Sequence, residues 1–384
     1  MCIKELQNPP HFKLIDNDQQ LAEICALAQT KTLLALDTEF IRVRSYYPKL
    51  GLIQLYDGER LSLIDPSKIS DFSPLLALFN HPNILKVLHA CSEDLAVFYH
   101  YFKVLPQPLC DTQVMAKFLD FPQSTGFANL VQHYFSLVLD KSPARTDWLA
   151  RPLTETQLSY AAADVWYLLP LYQRMWQDLQ QTPWQSALTN DCEQLLEKCQ
   201  KFDDPDTAYI AISNSWKLSP LELMRLKLLA KWRQQEAIKR DLAVNFVVKG
   251  EHLWLLAKYN PKNISALLEL GLTHQEVRLH GKTMLKLLDQ VKHIPAQDYP
   301  DKIVRLAEDP RYKAGLKRLQ QKLKQITPTD LKPEVIASRR SLEKLMKWHW
   351  HKTPQDKLPE LLKGWRQPFG EQLIQVLESN LENR

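Results

Sequence analysis

Glycine is scarce in this chain, with nine in 384 residues, and none belongs to a Gly-x-x-x-x-Gly-Lys-Ser/Thr run. That excludes the loop with which helicases and related nucleotide hydrolases cradle phosphates. Cysteine is sparse too, and the six residues at positions 2, 25, 91, 110, 192 and 199 show neither a Cys-x-x-Cys pair nor zinc-like spacing. Reduced thiols in a cytoplasmic protein are expected, without disulfides or structural zinc. Long apolar runs are missing as well: charge interrupts each of them well before the roughly 18 residues that a membrane helix needs. The opening Met1-Cys2-Ile3-Lys4-Glu5 is too polar for a secretory leader. A soluble chain is expected, long enough for two or three domains.

What is present divides by charge. The net charge is +5, but residues 211–384 hold 32 Lys and Arg against 19 Asp and Glu, a net of +13, which leaves −8 for residues 1–210. A basic half suits a polyanion, because Lys and Arg near phosphates release condensed counterions. Tied to an acidic half, it points toward nucleic acid rather than toward merely solvated helix faces.

Strand signals fill residues 33–90: Leu33 to Phe40, Leu50 to Tyr56, Arg60 to Asp65 and Ile84 to Ala90, with Asp57-Gly58 as a hairpin turn. From about residue 92 the pattern turns helical. Ser92-Glu93-Asp94 reads as a helix start, and Thr154 faces Gln157 in capping-box style. The turn-rich Asp203-Asp204-Pro205-Asp206 reads as a boundary, beyond which only helical periodicity remains. That remainder holds an internal repeat. Phe246, Val247, Leu253, Leu256, Gly281, Met284 and Leu288 recur as Val335, Ile336, Leu342, Leu345, Gly370, Leu373 and Leu377, each 89 residues later. A period this long signals a duplicated domain rather than a solenoid.

Four acids are candidates for one site. Asp37 and Glu39, two apart, share one face of a strand; Tyr160 and Asp164, four apart, share one face of a helix; Asp94 follows the fourth strand. Singly, each has an ordinary reading, Asp94 as a cap and Asp164 as a solvated residue. Together they do not, because Asp37 and Glu39 end an apolar strand and Asp164 lies in an apolar face with Ala161, Leu168 and Leu169, where unbound carboxylates are costly. Oxygen ligands without His or Cys favour Mg2+ or Mn2+, and the known use of such a cluster is two-metal phosphodiester hydrolysis, with ions about 4 Å apart. Tyr160 is placed to orient the attacking water. His89 and Gln54 stay outside the catalytic set: either could touch substrate or be structural.

Leu36-Asp37-Thr38-Glu39-Phe40, His89-Ala90-Cys91-Ser92-Glu93-Asp94-Leu95 and Tyr160-Ala161-Ala162-Ala163-Asp164 resemble the three exonuclease motifs of the DEDD superfamily, in its Tyr-x-x-x-Asp subclass. Asp111-Thr112-Gln113 and Asp147-Trp148-Leu149-Ala150-Arg151-Pro152-Leu153 resemble the ribonuclease D family specifically. Leu228-Leu229-Ala230-Lys231-Trp232-Arg233 with Ala237, Asp241, Asn260-Pro261 and Gly281 is similar to the HRDC domain, and residues 300–384 look like a divergent second copy. The resemblance implies an α/β ribonuclease-H-like exonuclease domain (residues 1–205) followed by two all-α HRDC-type domains (212–294 and 300–384). It implies an active 3′→5′ exoribonuclease that trims transfer RNA precursors and releases nucleoside 5′-monophosphates. In it, Asp37, Glu39 and Asp164 hold one Mg2+ or Mn2+, Asp37 and Asp94 the other, and Tyr160 the water. A monomer is expected. A DNA exonuclease of the same chemistry and a non-catalytic RNA-binding scaffold are the alternatives.

Overall fold

The computed structural model describes residues 11–139, 146–200, 204–351 and 357–378. The segment Met1-Cys2-Ile3-Lys4-Glu5 and Asp203 of the expected boundary lie outside the described residues. Packing divides the chain into two compact units, Met1–Ile41 with Lys49–Gln200 and Pro310–Arg384, and Arg42–Pro48 with Lys201–Asp309.

The first unit is built on a mixed sheet of β1 (Phe12–Ile15), β2 (Leu33–Ile41), β3 (Lys49–Tyr56), β4 (Leu61–Ile64), β5 (Leu85–Leu88) and β6 (Leu109–Asp111), ordered β1-β4-β3-β2-β5-β6. Strands β2, β3 and β4 form an antiparallel meander; β1, β5 and β6 add parallel to their neighbours. The turn between β3 and β4 uses Gly58 at φ 91°, and Asp57 accepts from the backbone N–H groups of Glu59 and Arg60. The four expected strands are present, the first two one residue longer than expected and the last two trimmed at both ends. Strands β1 and β6 go beyond the expectation, because four and three residues are too few for alternation to show.

One face of the sheet is covered by α1 (Asp18–Ala28), α2 (Ser73–Phe79) and α3 (Ser92–Phe102). Leu21, Ile24, Leu75, Leu78, Phe79, Leu95 and Phe98 bury there against Leu34, Leu36, Ile53 and Leu55. After the short α4 (Thr112–Lys117) and α5 (Phe127–Phe135), the long α6 (Glu155–Leu179) crosses β2, β3 and β4. Its start carries the expected box, with Gln157 N–H donating to Thr154 Oγ1 and Thr154 N–H to Gln157 Oε1. Helix α7 (Gln185–Gln200) packs on α3 and β6.

The second unit holds α8 (Pro220–Arg240), α9 (Val244–Val247), α10 (Gly250–Tyr259), α11 (Ile264–Glu269) and α12 (His274–Gln290) around Leu223, Leu226, Leu229, Leu253, Leu256 and Met284. Arg42–Pro48 belongs to this core: the Ala243 N–H donates to Arg44 O and the Tyr47 N–H to Asp241 Oδ1.

The remaining helices, α13 (Tyr312–Ile326), α14 (Pro333–Ile336), α15 (Arg339–His351) and α16 (Gln367–Glu378), lie in the first unit. The repeat read from sequence recurs as structure. Both α9 and α14 are four-residue helices starting 89 residues apart, and α10 and α15 start at the same offset. Leu253, Leu256 and Met284 are buried, as are their counterparts Leu342, Leu345 and Leu373. The second copy is pinned by Arg366, whose guanidinium is a fork for Asp191 of α7 and also donates to Ile336 O and Val335 O. Trp365 Nε1 donates to the same carboxylate at 2.8 Å, and its ring meets Phe118 and Trp184. Gly364 adopts φ 52°, a conformation that favours glycine, and a Cβ there would have to displace the Asn190 side chain, whose Oδ1 would stand 2.4 Å away.

Candidate active site

Alternation along β2 decides which side chains face α6. Leu34 and Leu36 enter the core beneath the sheet, so Asp37 and Glu39 emerge on the opposite face. Asp164 projects from α6 toward them, and single carboxylate oxygens of Asp37, Glu39 and Asp164 all lie within 4.8 Å of one another. The three residues are half-buried.

Asp94 is not one of the acids grouped within 4.8 Å, but it lies near enough for its charge to act on Asp37 and Glu39. It occupies the first turn of α3, is buried, and accepts a short hydrogen bond from the Thr38 hydroxyl. Its charge is, after burial, the largest influence raising the Asp37 carboxyl, which sits well above the usual range. Burial, then Asp164 and Asp94, raise Glu39 to about 9. Burial leads in raising Asp94 and Asp164 to about 7 each, against hydrogen bonds from Thr38 and Tyr160 respectively. Burial of the four carboxyl groups comes first in this pattern and repulsion between neighbouring acids second, and a bound cation relieves both.

Tyr160, one turn before Asp164, hydrogen-bonds that carboxyl. Burial first, then the surrounding acids, push its phenol above the ordinary value, so it stays neutral. Tyr160 and Asp164 line an open cavity of about 500 Å³ with Glu155, Thr156, Ser159 and Tyr167. The stretch around Trp148 supports this helix end. The Trp148 ring lies 6.2 Å from Tyr160, and Arg151 ties the segment down with a fork on Asp65 and a bond to Gly51 O. Gly51 is obligatory because a Cβ there would sit 2.6 Å from Trp148 O.

Asp111 is a residue whose role the motif alone did not disclose. Its buried carboxylate accepts from the backbone N–H groups of Ala90, Cys91, Gln113 and Val114. One side chain thereby caps α4 and grips the turn, with Ala90 at φ 53°, that launches α3 and sets Asp94. The signal was Asp-Thr at the end of a short apolar run, a helix cap by its chemistry. His89 is held by the same segment through Thr112 Oγ1 at 2.9 Å; burial lowers its pKa. Gln54 lies fully enclosed opposite Asp37.

Five cysteines among the described residues are free thiols, four of them buried. No helix among the described residues is long and apolar enough to cross a membrane.

A family model described as 3'-5' exonuclease matches residues 12–180, one described as HRDC domain matches 222–288, and one described as Ribonuclease D, C-terminal HRDC domain matches 310–374. The chain is 54% identical over 379 residues to Ribonuclease D of Haemophilus influenzae, covering 98% of this chain and 95% of that protein. It is 45% identical over 373 residues to Ribonuclease D of Escherichia coli, covering 97% and 99%. The crystal structure of Escherichia coli RNase D, described as an exoribonuclease involved in structured RNA processing, superposes with a TM-score of 0.93 at 45% identity, covering 96% of this chain and 99% of that one.

Proposed function

This chain belongs to the ribonuclease D family, and from that premise we propose that it trims the 3′ ends of transfer RNA precursors by two-metal hydrolysis, releasing nucleoside 5′-monophosphates. It is a 3′→5′ exoribonuclease, a hydrolase of phosphodiester bonds, and RNA is its substrate. The observation that carries the metal reading is the trio Asp37, Glu39 and Asp164, all oxygen donors within 4.8 Å of one another. Such donors fit hard divalent cations and match no soft metal.

In this reading Asp37, Glu39 and Asp164 would hold one Mg2+ or Mn2+, and Asp37 and Asp94 would hold the second. Bound ions supply the charge that acidifies water and offsets the departing 3′ oxygen. Tyr160, at the rim of the cavity beside Asp164, holds the attacking water in line with the phosphorus. Its neutral phenol acts as a hydrogen-bonding guide rather than as a base. The Thr38 hydroxyl holds the Asp94 carboxylate, and Asp111 holds the turn from which its helix starts. The HRDC-type segments, rich in Lys and Arg, hold the body of a structured RNA and offset the repulsion between acids and phosphates.

The test is a transfer RNA precursor bearing a 3′ trailer, incubated with and without EDTA beside its DNA counterpart. The wild type shortens the RNA from its 3′ end only when metal is present, and prefers it to DNA. Asp37→Asn and Asp164→Asn bind the RNA and leave it intact. Wild-type turnover by either variant, or shortening from the 5′ end, contradicts the assignment.

A further inference from the structure

Gln54 is fully enclosed, at 0% exposure, and neither Oε1 nor Nε2 meets a partner among the described residues. A buried carboxamide gives up its bonds to water, so one without replacements is rare. Its surroundings narrow the choice of partner. On one side it is registered against Leu63 of β4, which offers nothing polar. On the other it is registered directly against Asp37 of β2. Opposed residues of an antiparallel pair project from the same face with Cα atoms about 5 Å apart. The next polar group on that face of β3, the Tyr56 hydroxyl, already donates to Gly58 O at 3.0 Å.

We infer that Gln54 is a positioning residue of the metal centre: its Nε2 donates to the Asp37 carboxylate when that carboxylate binds a divalent ion, fixing which oxygen faces the ion. The inference rests on the proposed metal reading. It also separates Gln54 from the substrate, since an enclosed amide has no surface for a nucleotide to touch. Hydrogen bonds to a ligating carboxylate from the surrounding layer commonly carry 10- to 100-fold in affinity for the ion. Asp37 is the acid assigned to both ions, so its orientation is the one on which the whole centre depends.

The experiment is a calorimetric titration of Mn2+ into the wild type, Gln54→Leu, Gln54→Met and Asp37→Asn, with thermal unfolding of each metal-free protein. Gln54→Leu and Gln54→Met are expected to bind Mn2+ roughly 10- to 100-fold more weakly while melting at the wild-type temperature or above. Replacing an unpartnered amide by an apolar group of similar shape removes a desolvation cost, so loss of ion affinity without loss of stability is what a packing role cannot produce. Binding by a folded Gln54 variant within twofold of wild type overturns the inference and leaves the metal reading standing. Failure of the wild type to bind Mn2+, or unchanged binding by Asp37→Asn, overturns the metal reading and this inference with it.

Discussion

At the scale of the residue, the carboxyl groups of the candidate site are held against their own chemistry. Asp94 and Asp164 titrate near 7 and Glu39 near 9, each raised chiefly by burial. An unfolded chain ionises the same groups near 4, so between about pH 4 and 9 the folded, metal-free protein binds more protons than the unfolded one. Its stability therefore falls as pH rises through that window. Metal-free protein should melt lower at pH 8 than at pH 5, by roughly 3 °C or more, and Mg2+ should raise the melting temperature more at pH 8, where the protons it displaces are fewer. A flat profile in EDTA contradicts this. The residues themselves were legible from spacing: two apart on a strand and four apart on a helix brought Asp37, Glu39 and Asp164 together. Legibility ended at Gln54 and Thr38, because an amide and a hydroxyl in an apolar strand carry no periodic signal. Only the register of β2 on β3 shows which acid Gln54 faces.

At the scale of the element, the duplicated helices share a spacing but differ in how tightly they close. Gly281 of α12 and Gly370 of α16 occupy equivalent positions. A Cβ at 281 would lie 3.0 Å from the Ile264 Cδ1 methyl, whereas at 370 it would lie 1.9 Å from the Leu361 carbonyl oxygen. A side-chain methyl can turn aside; backbone cannot. Gly281→Ala should therefore cost less than about 1 kcal/mol and Gly370→Ala about 3 kcal/mol or more, which denaturant unfolding of the two variants will compare. Equal losses would mean the copies are packed alike. The sequence showed the four central strands and the capping box on α6, where pattern and chemistry agree. It did not show β1 and β6, whose existence depends on neighbours supplied by β4 and β5. It also did not show that the start of α3 is gripped from Asp111, some twenty residues downstream, rather than capped by a side chain at Cys91.

At the scale of the molecule, charge separation foretold an acidic catalytic part and a basic helical part, and the 89-residue repeat foretold two similar helical segments. Composition could not show that residues 310–384 share a compact unit with the exonuclease sheet. The most enclosed ion pair in that association is Arg366 with Asp191, whose side chains keep only 10% and 11% of their surface; Trp184 Nε1 to Asp330, Gln123 to Glu334 O and Lys332 to Asp120 join it nearer the surface. Removing one member of a pair so enclosed leaves the other charge stranded, so Asp191→Ala should cost about 3 kcal/mol, measured by calorimetry or denaturant titration; a loss under about 0.5 kcal/mol would show that the aromatic contacts and the outer hydrogen bonds suffice without it. The ring of Trp365 lies against Phe118 and Trp184. A shortened version ending at residue 309 would thus strip a lid from two aromatic faces and leave them greasy and wet.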